Sequence, residues 1–365
     1  MNAKLEVRGL NKNYAGRNVV HDFSLAIEEG KFVVLLGPSG CGKSTILSMI
    51  AGFETADTGS IVLDGQLLNS LPPQDRHLGL VMQDFSVFTR MSVRQNLEFG
   101  LRRHAGGKGR IRAKVDRMAE RLLLTDLLDR SAAALNFSEM QRVALARSLI
   151  VEPSLLLLDE PISSLDAADR SRLRSELRLI QNELCQTILY VTHDQTEALS
   201  MADEIIVLQS GETEQAGTPR EVYEKPRNRY VAEFLGEPSI NLLACQVERS
   251  GQTTLFQIGP DLTWRTQPGF SFTGPAHLGI RPADLITSPE PRSDWFPSTV
   301  IGREYLGSDE LVHLSLAGQP VTAFASRVHG ITGQTAWVSW QSGSAHVFDQ
   351  VSGTTVATIP LGSVR

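Results

Sequence analysis

Phe32-Val33-Val34-Leu35-Leu36-Gly37-Pro38-Ser39-Gly40-Cys41-Gly42-Lys43-Ser44-Thr45 is the stretch on which the fold turns. Its first five residues are apolar without alternation, which describes a strand buried on both faces, as in a parallel sheet covered by helices. The strand runs straight into a glycine-rich turn, and a helix is predicted from about Lys43 to Ala51. Gly37 to Thr45 fits the pattern G-x-x-x-x-G-K-[S/T], whose chemistry is the holding of phosphate. Glycines let the backbone curl tightly and approach phosphate oxygens. The amides opening the helix then donate to those oxygens, helped by the helix dipole. Lys43 is expected to reach the β- and γ-phosphates of ATP, and Ser44 to ligate Mg²⁺. A plain glycine turn would not need this strand before it and this helix after it.

A second apolar run, Leu155-Leu156-Leu157-Leu158, ends in Asp159-Glu160. An Asp-Glu pair at a strand end is, alone, as well explained by a surface position. Paired with the phosphate loop it reads differently: Asp159 belongs in the Mg²⁺ shell and Glu160 polarises an attacking water. Thr187 to Thr192 is a third buried strand. Residues 1 to about 235 alternate such strands with amphipathic helices, so an α/β P-loop domain is expected. The helical part runs from about Asp84 to Ile150, with Ile111 to Leu128 as a basic amphipathic helix pair. Around Glu237-Pro238-Ser239 the character changes to short alternating segments broken by Gly, Pro and Ser. Residues 236–365 are expected to form a small all-β, OB-like barrel domain.

Composition bounds the partners. The 365 residues are 41% hydrophobic and 21% charged, and a net charge of −6 argues against nucleic acid as a partner. The three cysteines, Cys41, Cys185 and Cys245, have no metal-ligand spacing and suit a reducing compartment. The N-terminus lacks a secretory stretch, and no apolar run approaches the roughly 18 residues of a membrane span. Any spanning helices must come from other polypeptides.

Further elements follow in an order that makes the chain resemble ABC-transporter ATPases, across nearly its whole length. Gln83 in Val81-Met82-Gln83-Asp84 matches the family's glutamine loop, which senses Mg²⁺ and contacts the membrane partner. Gln141-Arg142-Val143-Ala144 matches the helix after the signature loop, Ser164-Leu165-Asp166 the D-loop, and His193 the switch histidine. Tyr14 is placed like the aromatic that stacks on adenine; packing on a sheet edge is the alternative. Phe85 to Met91 resembles the groove that docks the permease, with core aromatics as the other reading. Gly279-Ile280-Arg281-Pro282 and His346-Val347-Phe348-Asp349 match the family's small regulatory barrel, the TOBE domain. The resemblance is nearest to the carbohydrate and glycerol-phosphate type, and it implies an α/β P-loop ATPase domain with a RecA-like core and a helical subdomain, followed by an OB-like TOBE barrel. It implies Gln83, Glu160 and His193 as catalytic residues, and Mg²⁺ on Ser44, Gln83 and Asp159. The partners it implies are membrane permeases, indirectly a solute-binding protein, and a second ATPase chain. The place it implies is peripheral, at the cytoplasmic face of the inner membrane. The solute it implies is a sugar, polyol or glycerol derivative, with polyamine, iron, sulfate and phosphonate importers as relatives.

One departure matters. The family carries Leu-Ser-Gly-Gly-Gln where this chain reads Leu135-Asn136-Phe137-Ser138-Glu139. That loop reaches across a dimer to the partner's γ-phosphate, and Phe137 puts a ring where a hydrogen is expected. Asn136 and Ser138 can still donate, whereas Glu139 adds negative charge near an anion. A homodimer would have two weakened sites; a heterodimer with a consensus partner would have one whole site. A weakly hydrolysing regulatory subunit is the main rival reading. A DNA-repair or translation ABC protein and a P-loop kinase explain fewer of the motifs.

Overall fold

The computed structural model describes residues 3–82, 86–101, 107–163, 166–260, 262–266, 270–293, 295–307, 309–324, 332–340 and 344–360. Two compact units are present, Met1–Pro219 and Arg220–Arg365.

In the first unit, strand Phe32–Leu36 pairs in parallel with Ile188–Thr192 on one side and Glu204–Gln209 on the other. Leu155–Asp159 and then Leu78–Val81 extend the parallel run past Ile188–Thr192. Antiparallel Glu212–Gly217 lies at the opposite edge. Every residue of Phe32–Leu36 and of Ile188–Thr192 is buried, which is why neither strand alternates. A separate antiparallel sheet contains Arg17–Ile27, Leu5–Tyr14, Thr58–Leu63 and Gln66–Leu67 in that order. Here the expected alternation appears: Leu5 and Val7 of one strand, Phe23, Leu25 and Ile27 of the next, are buried. They share one core with Ile46 and Ile50 of helix Lys43–Ala51 and with Val33 and Leu35 of the central strand. Each such aliphatic side chain contributes about 1.5–3 kcal/mol by leaving water, so the loop helix is anchored firmly against both sheets.

The helical part includes Val93–Leu101, Lys108–Arg121 and Phe137–Leu149. The pair of helices expected over Ile111 to Leu128 is one helix followed by a single 3₁₀ turn, Thr125–Leu127. Leu123 adopts φ 53° and breaks the helix, and Leu122, Leu124 and Leu128 on either side are buried. Burial of these leucines overrides the helical period that the sequence displays.

The second unit holds two antiparallel sheets. One orders Leu262–Thr266, Thr253–Gly259, Asn241–Ser250, Gly274–Ile280, Ser344–Asp349 and Thr355–Pro360; the other Leu285–Ser288, Thr335–Trp340, Phe296–Tyr305, Glu310–Leu316 and Gln319–Phe324. Their inner faces share a core in which Trp264 and Trp340 meet edge-on, with centroids 5.2 Å apart. The domain is all-β as expected. Among the described residues the sheets keep free edges, so it is a curled half-barrel. The buried guanidinium of Arg281 donates to the carbonyls of Ala232 (2.8 Å), Tyr223 (3.1 Å) and Leu235, tying helix Arg229–Phe234 to this unit.

Candidate functional site

Three neighbouring parallel strands deliver the site residues from their carboxyl ends, where open α/β sheets place ligands. Phe32–Leu36 leads into the phosphate loop, Leu155–Asp159 into Glu160, and Ile188–Thr192, lying between them, into His193.

The loop is tight for stated reasons. A Cβ on Gly37 would sit 2.6 Å from the carbonyl oxygen of Leu208. Gly42 takes φ 104°, and a Cβ there would meet the Val19 oxygen at 2.7 Å. Lys43, only 4% exposed, curls over the loop and donates from Nζ to the carbonyls of Gly37 (2.8 Å) and Pro38 (2.9 Å). Burial pushes the neighbouring Cys41 thiol up, although the Lys43 charge pulls the other way. A cavity of about 460 Å³ opens between Ser39, Gly40, Gly42, Lys43, Ser44 and Thr45 on the loop and Asp159 and Glu160 opposite, with Val19 also lining it.

Ser44 Oγ donates to Asp159 Oδ1 at 3.2 Å. Burial holds the Asp159 carboxyl above its ordinary value; the Ser44 hydrogen bond opposes this, Glu160 adds to it, and Lys43 opposes it. Hydroxyl and half-buried carboxylate together are hard oxygen donors. They suit Mg²⁺, which takes one or two protein ligands and completes its shell from water and phosphate. Gln83 lies outside the described residues, as do Ser164 and Leu165. Asp166 caps helix Ala167–Leu184 by accepting from the amide of Asp169 at 2.9 Å.

Glu160 has φ 45°, an uncommon conformation for a residue with a side chain. Its amide donates to Val191 O at 2.9 Å, and its Oε2 stands 3.0 Å from His193 Nδ1. Carboxylate and imidazole are therefore brought together at the cavity edge. Tyr14 ends strand Leu5–Tyr14, 40% exposed, with the Lys12 ammonium 5.1 Å from its ring centre. It does not line the cavity; Val19, which sequence reasoning missed, does.

Asn136 caps helix Phe137–Leu149. Its Oδ1 accepts from the Glu139 amide at 2.9 Å, and Glu139 Oε2 accepts from the Asn136 amide at 2.8 Å. This reciprocal box satisfies two orphan donors of the helix end. Glu139, read from sequence as a negative charge facing an anion, is thus committed to its own helix. Ser138 is buried, and its Oγ accepts from Arg172 at 3.3 Å. Phe137 is half-buried, and Asn136 is exposed at the helix start.

Phe88 is not a core residue: it is 36% exposed, in edge contact with Phe99 at 4.6 Å and under the Arg147 guanidinium at 4.3 Å. Phe85 lies outside the described residues.

Two buried residues near His193 were also missed, Thr192 and Glu197. The pattern Asp194-Gln195-Thr196-Glu197 is a capping signal legible in the sequence.

Comparison with known proteins identifies the family. Residues 20–163 match the ABC transporter family model and residues 278–348 the TOBE domain. An sn-glycerol-3-phosphate import ATP-binding protein of Jannaschia sp. (strain CCS1) is 39% identical over 96% of this chain and 99% of its own. The protein of that name from Pectobacterium atrosepticum is 37% identical, again over 96% and 99%. An ABC transporter ATP-binding protein of Sinorhizobium fredii is 36% identical over 96% of this chain and 94% of its own. The solved structure of cbiO1 from Clostridium perfringens, part of the ABC transporter complex cbiONQ, superposes with a TM-score of 0.57 at 31% identity. It covers 61% of this chain and 91% of its own.

Proposed function

This chain belongs to the ATP-binding subunits of ABC importers, and from that premise we propose that it hydrolyses ATP to drive uptake of a glycerol phosphate, sugar or polyol through separate membrane permeases. The solute assignment rests on the names of the glycerol-3-phosphate import relatives. No described helix is long and apolar enough to cross a membrane. In the importer reading the spanning path belongs to the permeases, and this chain sits peripherally at the cytoplasmic face. Residues 1–235 carry the ATPase chemistry and 236–365 a regulatory domain.

The observation that carries the reading is one cavity with Lys43 and Ser44 on one wall and Asp159 and Glu160 on the other. Lys43 exchanges its two carbonyl partners for β- and γ-phosphate oxygens, which the amides opening helix Lys43–Ala51 also receive. Ser44 and Asp159, with Gln83, would hold Mg²⁺, which supplies positive charge to the β- and γ-oxygens. Glu160 accepts a hydrogen bond from the attacking water and orients it in line with the γ-phosphate. His193 fixes the Glu160 carboxylate and donates toward the same phosphate. Tyr14 stacks on adenine.

In this proposal two chains close face to face, and each cavity is completed by the other chain's helix start at Asn136. Because Glu139 and Ser138 are held within their own chain, Asn136 Nδ2 and the helix amides are the donors offered. Whether they suffice decides between a homodimer and a heterodimer with a consensus partner. The test is hydrolysis of MgATP by the purified chain, alone and with a second ATPase subunit. Full, cooperative turnover alone removes the need for a partner; stimulation by the partner establishes it. Failure of the folded chain to bind nucleotide in the presence of magnesium overturns the proposal.

A further inference from the structure

His193 is 3.0 Å from Glu160, yet its position depends on what holds the backbone around it. Thr192 before it is 1% exposed, and Asp194 after it caps helix Gln195–Met201. The cap is unusual in one respect. The Asp194 Oδ1 accepts from the Glu197 amide at 3.1 Å, as an N-cap should. In an ordinary capping box the Glu197 carboxylate would return to the Asp194 amide. Here the Thr192 hydroxyl stands between them. Its oxygen accepts from the Asp194 amide at 2.9 Å, and its proton goes to Glu197 Oε2 at 2.6 Å. The chemistry fixes the direction of this relay, because a backbone N–H can only donate. Tyr190, wholly buried, donates to the same Oε2 at 2.9 Å. Glu197 is 1% exposed, so its carboxylate is shielded from competing water. On the other side Asp194 Oδ2 accepts from Arg170 at 3.0 Å, linking the turn to helix Ala167–Leu184. His193 is thus an exposed residue whose two neighbours, Thr192 and Asp194, are both tied down by hydrogen bonds.

We propose that Thr192 and Glu197 are positioning residues for His193: the buried Glu197–Thr192–Asp194 relay holds the backbone turn that presents its imidazole to Glu160. The proposal deepens the ATPase reading and rests on it. Neither residue lines the phosphate cavity, so loss of the relay should lower turnover and spare nucleotide binding.

Thr192→Val keeps the shape and removes the hydroxyl. At saturating MgATP its kcat is expected to fall about 10-fold or more, with KM for ATP and nucleotide affinity changed less than about twofold. Thr192→Ser, which retains the relay, is expected to restore turnover. On a His193→Ala background Thr192→Val should cost nothing further, because its effect passes through the imidazole. Glu197→Gln keeps an accepting oxygen and serves if Thr192→Val does not fold. It should retain turnover, whereas Glu197→Leu should lose it. The proposal is overturned by a folded Thr192→Val with wild-type kcat, by losses that multiply on the His193→Ala background, or by a parallel loss of nucleotide affinity. A wild-type chain that binds and does not hydrolyse ATP under any pairing would instead sink the ATPase reading itself.

Discussion

Ser44 Oγ donates to Asp159 Oδ1 across 3.2 Å, joining the first turn of the loop helix to the end of a strand that is not its sheet neighbour. The strand lying between, Ile188–Thr192, carries His193. Phosphate loop, carboxylates and histidine therefore converge because three strand ends are adjacent.

Glu160→Gln removes the charge that orients water and keeps the side chain's size. Hydrolysis should fall about 100-fold or more while nucleotide affinity stays close to wild type. Single-turnover hydrolysis alongside a fluorescent-nucleotide titration checks this; equal loss of both would remove Glu160 from the chemical step.

Gly42→Ala forces a side chain into φ 104° with its Cβ 2.7 Å from the Val19 oxygen. The strain alone is worth about 1–3 kcal/mol. A lower melting temperature is expected together with weakened nucleotide binding, because the same turn shapes the loop. Unchanged binding in a folded Gly42→Ala protein would show that the loop tolerates a different path.

Asn136→Ala removes the acceptor of the signature-helix cap and should cost about 1 kcal/mol in urea denaturation. Asn136→Ser keeps a capping oxygen and should recover most of that stability. Their hydrolysis rates separate the cap from the amide: if Asn136 Nδ2 serves the neighbouring chain's phosphate, both substitutions, which lack that amide, lose turnover although Asn136→Ser recovers the stability. Turnover that follows stability, near wild type in Asn136→Ser, would assign Asn136 to its own helix alone.

Acid should loosen the second unit. His346 is 2% exposed, with Nδ1 3.1 Å from Thr358 Oγ1, and burial, with Arg281 adding to it, lowers its pKa to about 4. The folded value lies below the unfolded one near 6.5, so the neutral form is favoured in the fold. The contribution is therefore complete above pH 6.5 and is lost as pH falls from 6.5 through about 4. Linkage puts the loss at about 3 kcal/mol by pH 4. All four tryptophans lie between Trp264 and Trp340, so urea melts followed by tryptophan fluorescence report on this unit. His346→Gln should flatten the pH dependence; an unaltered slope would place the acid sensitivity elsewhere.

Much of the architecture was legible because it is written locally. Phe32–Leu36 and the helix Lys43–Ala51 fall where apolar run and glycine turn place them, since each depends on consecutive residues. The helix pair over Ile111 to Leu128 was not legible: amphipathic spacing suggested a second helix, and burial of Leu124 and Leu128 replaced it with one tight turn. Glu139 shows the same limit. Its charge is plain in the sequence, but its commitment to the Asn136 amide depends on how the helix begins.

By itself, the chain's sequence determined the glycine-rich loop between strand and helix, the paired carboxylates at a strand end, the histidine that follows a third strand and the change to an all-β second part. Each is a run of neighbours whose backbone conformation follows from residue type and period. Only the tertiary structure decided that Glu160 meets His193, that Val19 lines the cavity, that Arg172 holds Ser138, and that Thr192 and Glu197 brace the histidine turn. Those contacts arise from strand order and from which helix packs on which, and no local period carries that information.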